Sequence, residues 1–241
     1  MTKAQLYQKL QGQNVVCQAC SWQCRIPEGG TGICGVRQNR QGDLYLLVYG
    51  QPVSVNIDPV EKKPLFHFLP GSQIFSLGTF GCNFACEFCQ NWDISQAPKM
   101  IKKDPTTAYK SLEELLSLGQ QWSPEKIVKF CLAHHIPGIA YTYNEPAIFF
   151  EYAYDTARLA QQKGIKNIYV SNGFESALAL EKISPYLDAI NIDLKSFSPT
   201  FYQTICHAKI EPVKENIQKI GQNLEKIWLE ITTLIIPGKN D

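Results

Sequence analysis

The chain has 241 residues, 44% of them hydrophobic, so it is long enough to bury a substantial core in one or two domains. Lys and Arg total 23 against 22 Asp and Glu, which excludes the global basic field of a typical nucleic-acid-binding protein. No apolar run approaches the roughly 20 residues of a membrane-spanning helix, and residues 1–14 lack the apolar region of a signal peptide. Nine cysteines without an export signal favour metal binding over disulfides, and we therefore predict a cytoplasmic protein.

Residues 1–70 are predicted to form a Cys-rich N-terminal lobe with a small β-sheet. Apolar runs at Leu44–Tyr49 and Val53–Ile57 predict two strands of that sheet. Four cysteines spaced C-x2-C-x3-C-x9-C lie among turns, and four thiolates can close a tetrahedral metal site. Zinc and a second iron–sulfur cluster both accept four cysteines, so the spacing leaves the metal open, and reduced cysteines without a metal are the alternative. The four residues are Cys17, Cys20, Cys24 and Cys34.

Residues 71–241 alternate short apolar runs with amphipathic segments, which predicts an α/β core domain. We expect parallel strands joined by right-handed helical crossovers in a partial (β/α) barrel of the TIM type. The predicted strands are five, at 74–77, 139–142, 166–170, 189–194 and 227–235. The predicted helices lie between them, at 106–118, 124–134, up to 163, at 176–183 and within 211–224.

Cys82, Cys86 and Cys89 follow the first core strand with the spacing C-x3-C-x2-C. Three thiolates on one loop can hold a [4Fe–4S] cluster while leaving one iron without a protein ligand, and open positions are where metals do chemistry. A zinc knuckle would need a fourth Cys or His, and none lies within about the next forty residues. Buried structural thiols are the other alternative, but the flanking Gly81 and Asn91 are typical of an exposed loop.

The spacing resembles the signature of radical S-adenosylmethionine (SAM) enzymes. Further motifs are similar to those of the AmmeMemoRadiSam system enzymes, relatives of the pyruvate formate-lyase activating enzymes. The motifs that carry this resemblance are DPVEKKPLFHFLPG, GCNFACEFCQNWDISQ, AYTYNEP, VSNGF, NIDLKSF and TTLIIPG. The four-cysteine lobe also looks like that family's, so the resemblance runs from about Cys17 to the last residue.

The resemblance implies that SAM fills the open iron site through its amino and carboxylate groups, and that Cys82, Cys86 and Cys89 ligate the cluster. No catalytic residue is assigned beyond these ligands. Tyr143-Asn144 replaces the Gly-Gly of many relatives, so the backbone contacts to SAM are expected to differ here. The residues implied in SAM or substrate binding are Phe88 near the adenine, Asn144 and Glu145 near the amino group, Ser171 and Asn172 near the ribose or carboxylate, and Asp193 with Lys195.

Several of these residues also have a structural interpretation. Glu145 precedes Pro146 and can cap the following helix, while Asn172 can form an ordinary turn with the next glycine. Asp193 and Lys195 can form an ion pair at the mouth of the barrel. Two further thiols are predicted to be buried apolar side chains rather than ligands, at Cys131 and Cys206.

The leading hypothesis is an enzyme that cleaves SAM to a 5′-deoxyadenosyl radical and abstracts hydrogen from a substrate. Its target is open between a backbone glycine on a partner protein, as for activating enzymes, a small molecule and another modified residue. The resemblance implies an electron donor such as flavodoxin or ferredoxin. Related cores have six strands, so a truncated chain with an unpaired edge is expected. The alternatives are an inactive metal-binding adaptor and a nucleic-acid-modifying enzyme, for which Lys99–Lys103 is the one basic stripe.

Overall fold

The computed structural model describes residues 1–103, 111–223 and 226–241. Six strands of two to four residues form two antiparallel three-stranded sheets in the N-terminal region. The strands are β1 (Thr2–Lys3), β2 (Tyr7–Lys9), β3 (Val15–Cys17), β4 (Arg25–Ile26), β5 (Arg37–Arg40) and β6 (Asp43–Leu46). Their orders are β1-β6-β5 and β2-β3-β4. The strand predicted at 44–49 is present in part as β6, which ends at Leu46.

One six-stranded sheet organises the rest of the chain. Its strands are β7 (Ser54–Pro59), β8 (Gln73–Gly78), β9 (Gly138–Tyr141), β10 (Lys166–Ser171), β11 (Ala189–Asp193) and β12 (Trp228–Thr232), in the order β12-β11-β10-β9-β8-β7. The five strands β8 to β12 are parallel, as predicted. The predicted pairing of β7 within a small N-terminal sheet is wrong, because β7 pairs antiparallel with β8 along its full length. The architecture is a partial TIM-like barrel.

Helices cover the face of the sheet that bears the large apolar side chains of β8 and β9. They are α1 (Trp92–Ser95), α2 (Ala97–Lys103), α3 (Leu112–Ser117), α4 (Pro124–Ala133), α5 (Phe150–Gln162), α6 (Ala177–Ile183), α7 (Pro199–Phe201) and α8 (Glu211–Asn223). Ser123 caps α4 through the N–H of Lys126, and Ser176 caps α6 through that of Ala179. Residues 106–110 and 224 of the predicted helices lie outside the described residues.

The opposite face of the sheet packs against the segment between β7 and β8. Ile74 and Ala140 on the strands contact Val60 and Leu65 of this segment in a small apolar cluster. The register places Pro59 beside Gln73, so the segment crosses the sheet at the amino ends of the parallel strands. It therefore closes the bottom of the partial barrel and leaves the carboxyl ends open.

Candidate functional site

The cysteine loop, residues 79–91, connects the carboxyl end of β8 to α1. Cys82, Cys86 and Cys89 are all partly exposed, and all three line one cavity of about 760 Å³. Burial raises the pKa of the Cys82 thiol to about 12, so without a metal this group is a neutral thiol. Because the thiolate is the ligand, metal binding must displace its proton.

Two glycines allow the cysteine loop to pass close to neighbouring backbone. Gly81 has a φ of +95°, and a Cβ there would lie 2.6 Å from the carbonyl oxygen of Cys34. A Cβ on Gly78, at the end of β8, would lie 2.6 Å from the carbonyl oxygen of Thr142. Side chains at these positions would collide with backbone that cannot move aside, which is why glycine is required.

Two asparagines from neighbouring strand ends hold the loop. Asn144 follows β9, and its Nδ2 donates to the carbonyl oxygen of Gly81 at 2.8 Å and to the hydroxyl of Thr79 at 3.1 Å. Asn172 follows β10, and its Nδ2 donates to Oδ1 of Asn83 at 2.8 Å. Both asparagines line the cavity, so the strand ends position the cysteine loop as well as the cavity wall.

A π-helical turn, Tyr202–Cys206, supports the loop from behind. Its carbonyl oxygens at Ile205 and Cys206 accept hydrogen bonds from the N–H groups of Glu87 (3.0 Å) and Ala85 (3.2 Å). Cys206 is buried, as predicted, and its thiol interacts with that of Cys86. The contact raises the pKa of Cys86 and lowers that of Cys206. Sequence reasoning missed this contact because the two cysteines lie far apart in the chain.

Glu145 has the geometry of a helix cap. Its side chain is fully buried, and its Oε1 accepts a hydrogen bond from the N–H of Ala147 at 2.9 Å at the start of the 3₁₀ turn Pro146–Phe149. Its Oε2 accepts one from the N–H of Asn172 at 2.8 Å. Glu145 is not among the residues that line the cavity, whereas its neighbour Asn144 is. The observed contacts are those of the capping alternative, and a role in binding SAM stays a prediction.

Glu145 and Glu175 form a buried carboxyl pair around Ser171. The Ser171 hydroxyl lies 2.6 Å from Oε1 of Glu175 and 3.1 Å from Oε2 of Glu145. Burial, together with the charge of Glu175, raises the pKa of Glu145 to about 8, and burial also raises that of Glu175. The pair therefore retains a proton at neutral pH, since two carboxylates at this distance cannot both ionise without water. Ser171 itself lines the cavity.

Phe88, Asp193 and Lys195 form one side of the cavity. The Lys195 ammonium lies 3.0 Å from Oδ2 of Asp193 and 5.5 Å from the ring centroid of Phe88. Burial alone would lower the pKa of Lys195, but the charge of Asp193, the hydrogen bond to it and the nearby thiols of Cys86 and Cys206 together raise the pKa. The ion-pair alternative is thus present in the structure. Contacts of these groups with SAM stay predictions.

The opposite side of the cavity consists of residues that the sequence analysis did not assign to the site. They come from β7, from the segment that follows it and from the end of β9. The sequence did contain a signal for this side of the cavity. Asp58 to Lys63 belong to DPVEKKPLFHFLPG, one of the motifs that carry the family resemblance. Without the pairing of β7 with β8, nothing in the sequence placed that motif near the cysteines. These residues are Asn56, Asp58, Lys62, Lys63 and Tyr143.

The four N-terminal cysteines lie near one another in the small lobe. Cys17 donates its N–H to the carbonyl oxygen of Cys24 at 2.9 Å, and a Cβ on Gly32 would lie 3.8 Å from Sγ of both Cys24 and Cys34. Cys17, Cys20 and Cys34 are buried, whereas Cys24 is partly exposed. Burial raises the pKa of Cys34 to about 11. The four thiols are not among the residues that line the 760 Å³ cavity.

Within residues 1–103, 111–223 and 226–241, no three His, Cys, Asp or Glu side chains are gathered closely enough to hold a single metal ion. In a [4Fe–4S] cluster, each of three thiolates binds a different iron, so its ligands stand farther apart than those of one ion. Three thiols on one cavity-facing loop fit that group by ligand type and by access. A metal in the four-cysteine lobe stays a prediction. In the same residues, no helix is long and apolar enough to cross a membrane.

An uncharacterized protein of Methanocaldococcus jannaschii, MJ0808, is 41% identical to this chain over 241 residues. The alignment covers all of this chain and 66% of that protein, so the chain spans just under two thirds of the length of this relative. Two solved structures are similar in part. A domain of the pyruvate-formate lyase-activating enzyme from Bacteroides vulgatus is 23% identical, with 43% of this chain and 63% of that chain covered and a TM-score of 0.39. A structure of TYW1 with a lysine-pyruvate adduct is 16% identical, with 97% and 69% covered and a TM-score of 0.44.

A protein family matches most of the chain. The profile of the Radical SAM superfamily matches residues 76–241, which begin inside β8 and include the cysteine loop and every later strand of the large sheet. The matched region thus contains the three cysteines and the strand ends that form the cavity. The chain belongs to the radical SAM superfamily.

Proposed function

We propose that this chain carries out reductive cleavage of SAM and uses the resulting radical to abstract hydrogen from a substrate. When bound, a [4Fe–4S] cluster supplies the electron that splits SAM into methionine and a 5′-deoxyadenosyl radical. The observation that supports the proposal is that three cysteines with the family spacing line the same cavity as the polar strand ends. Cluster, SAM and substrate would then share one cavity at the carboxyl ends of the strands.

The roles of the protein side chains follow from their positions. Cys82, Cys86 and Cys89 would each ligate one iron, leaving the fourth for the amino and carboxylate groups of SAM. Asn144 and Asn172 tie the cysteine loop to the ends of β9 and β10 through their side-chain amides, and both residues line the cavity. The protein therefore positions the reactants and limits the access of water and oxygen, since the cofactors carry the chemistry.

We further assign the chain to the AmmeMemoRadiSam group on the motifs quoted above, DPVEKKPLFHFLPG foremost. An activase-like reaction, with a backbone glycine of a partner protein as the hydrogen donor, is one form of this function. The electron donor is proposed to be a flavodoxin or ferredoxin in the cytoplasm.

Anaerobic reconstitution tests the proposal. The protein is loaded with iron and sulfide, reduced with dithionite and given SAM, and 5′-deoxyadenosine is measured by mass spectrometry. We expect release that disappears in a Cys82/Cys86/Cys89→Ala triple variant. A reducible [4Fe–4S] cluster without any release of 5′-deoxyadenosine would contradict the proposal and favour the adaptor alternative.

A further inference from the structure

A cluster of charged residues lines the cavity on the side across from Phe88, Asp193 and Lys195. We call it the lysine floor and define it as Asp58, Lys62, Lys63 and Tyr143. The segment that closes the bottom of the barrel supplies the two lysines, and β7 supplies Asp58. Lys63 is buried with 2% of its side chain exposed, while Lys62 is 68% exposed. All four residues line the cavity that the three cysteines also line.

Hydrogen bonds within the lysine floor occupy its acceptors. Oδ2 of Asp58 accepts from the Lys63 ammonium at 2.7 Å and from the Tyr143 hydroxyl at 2.6 Å, and Oδ1 lies 3.4 Å from the Lys62 ammonium. The Tyr143 hydroxyl in turn accepts from Nδ2 of Asn56 at 3.0 Å. Each ammonium carries three N–H donors and no acceptor. The floor is therefore rich in donors, and its carboxylate is already engaged.

The charges of the residues that line the cavity also favour the binding of an anion. On the far side, Asp193 and Lys195 form a one-to-one ion pair. In the lysine floor two ammonium groups share one carboxylate. Burial favours a raised pKa for Asp58, but hydrogen bonds from Lys63 and Tyr143 outweigh it and lower the pKa to about 2, so this carboxyl is ionised at neutral pH. One positive charge at the floor is thus not balanced by a carboxylate among the residues that line the cavity.

The backbone conformation of Tyr143 indicates that the protein holds the residues of the lysine floor in a fixed arrangement. Tyr143 has a φ of +69°, in the left-handed region that favours glycine. The conformation is held by Nδ2 of Asn91, which donates to the Tyr143 carbonyl oxygen at 2.8 Å, and it directs the ring so that the Lys63 ammonium lies 4.6 Å from its centroid. Strained non-glycine residues cluster at ligand sites, where the surrounding structure holds them in place.

We propose that the lysine floor binds the carboxylate or phosphate group of a small anionic substrate. The substrate would then lie between the floor and the side formed by Phe88, Asp193 and Lys195, where SAM is predicted to bind. This inference rests on the proposed function. A volume of about 760 Å³ lies in the range of small-molecule sites, about 300–1,000 Å³. The floor lies at the closed end of the barrel, which suits a small molecule better than the neutral backbone glycine of a partner protein. The methionyl carboxylate of SAM has the same chemistry and is the rival occupant.

The test uses inorganic phosphate as the probe, titrated into the full chain at low ionic strength and followed by ³¹P NMR and calorimetry. Lys62→Gln removes an exposed charge and keeps the fold, and an Asp58→Asn/Lys63→Met double variant removes the buried pair without leaving an unpaired charge. Lys166→Gln is the matched control, because Lys166 is also partly exposed and pairs with Asp188 at 2.7 Å, at the amino end of the sheet. SAM affinity of the reconstituted protein is measured for each variant.

We expect Lys62→Gln to weaken phosphate binding about fivefold or more and the double variant to abolish it. Lys166→Gln should bind phosphate like the wild type, and SAM affinity should stay within about twofold in all variants. Equal phosphate binding in all proteins would overturn the inference. A tenfold or larger loss of SAM affinity in Lys62→Gln would also overturn it and assign the floor to the SAM carboxylate. Wild-type protein that binds phosphate at the floor but releases no 5′-deoxyadenosine would contradict only the proposed function.

Discussion

The two cysteine sets of this chain present the same ligand atom in opposite surroundings. Cys82, Cys86 and Cys89 are partly exposed along a large cavity, whereas three of the four N-terminal cysteines are buried in a lobe of short strands. Thiolates that face a cavity leave room for a further ligand on the metal. Thiolates enclosed by protein suit a metal that only holds the chain together. Cysteine spacing thus identifies a candidate ligand set, while access to the thiols indicates whether a site there could perform chemistry.

The two sets are also mechanically connected. The carbonyl oxygen of Cys34 lies against Gly81, and Nε1 of Trp22 donates to the carbonyl oxygen of Asn83 at 2.9 Å. The N-terminal lobe therefore contacts and supports the cysteine loop. Damage to the lobe should lower stability first and affect the loop only indirectly, which separates the two sets experimentally.

The largest expected effect is on the cavity-facing set. Cys89→Ala should reduce bound cluster iron and 5′-deoxyadenosine release to background, because one of three iron ligands is lost. The free energy of unfolding should change by less than about 1 kcal/mol, since Cys89 is partly exposed. Cys131→Ala is the control, a fully buried thiol away from the cavity that should retain iron and lose roughly 1 kcal/mol. Iron content, product mass and urea denaturation give the readouts, and normal iron content in Cys89→Ala would refute the ligand assignment.

Substitution of the N-terminal cysteines should act chiefly on the stability of the fold. In a Cys82/Cys86/Cys89→Ala background, any zinc or iron that copurifies belongs to the lobe. Adding Cys17→Ser and Cys34→Ser should remove that metal and lower the free energy of unfolding by roughly 4 kcal/mol or more, because metal binding is coupled to folding. Elemental analysis and urea denaturation measure both effects. If the triple-Ala protein contains neither zinc nor iron, the four N-terminal cysteines are reduced thiols that bind no metal.

A buried ion pair should hold the lobe to the core. Arg37 of β5 donates to both carboxylate oxygens of Glu151 on α5, at 2.7 and 2.8 Å, and each side chain is 1% exposed. Arg37→Met leaves the carboxylate unpaired and should cost about 3–5 kcal/mol in urea denaturation. The exposed pair of Lys166 with Asp188 is the contrast, and Lys166→Met should cost less than about 1 kcal/mol. Equal losses in the two variants would mean that the Arg37 pair does not tie the regions together.

The pH dependence of stability tests the carboxyl pair behind the cavity. Glu145 has its pKa raised from 4.5 to about 8 by burial and by the charge of Glu175, so the folded state binds a proton that the unfolded state has lost. The stabilisation is complete below about pH 4.5 and is lost as the pH rises through about 8, at no more than about 1.4 kcal/mol per pH unit. Glu145→Gln keeps a neutral side chain and should flatten this dependence in urea denaturation between pH 5 and 8. Parallel curves for the two proteins would argue against a shared proton.

Much of the fold follows from local patterns in the chain. Short apolar runs followed by polar residues predict the five parallel strands, because parallel strands covered on both faces consist mostly of apolar side chains. The helices predicted at 124–134 and 176–183 are present as α4 and α6, and each begins after a serine whose hydroxyl accepts a backbone N–H that would otherwise be unpaired. The three-cysteine spacing predicts the loop after β8. These are signals that need only neighbouring residues to be read.

The order of these elements and the identity of the cysteine loop follow from the amino-acid sequence, because propensity and spacing act over a few residues. The pairing of β7 with the large sheet follows only from the three-dimensional packing, since an alternating strand carries no information about its partner. That pairing brings Asp58 and Lys63 into the cavity with the cysteines. Tertiary packing likewise buried Glu145 against Glu175 and set Cys206 against Cys86. Such contacts join distant parts of the chain, and they form because burying the apolar faces of sheet and helices leaves one compatible arrangement of the strand ends.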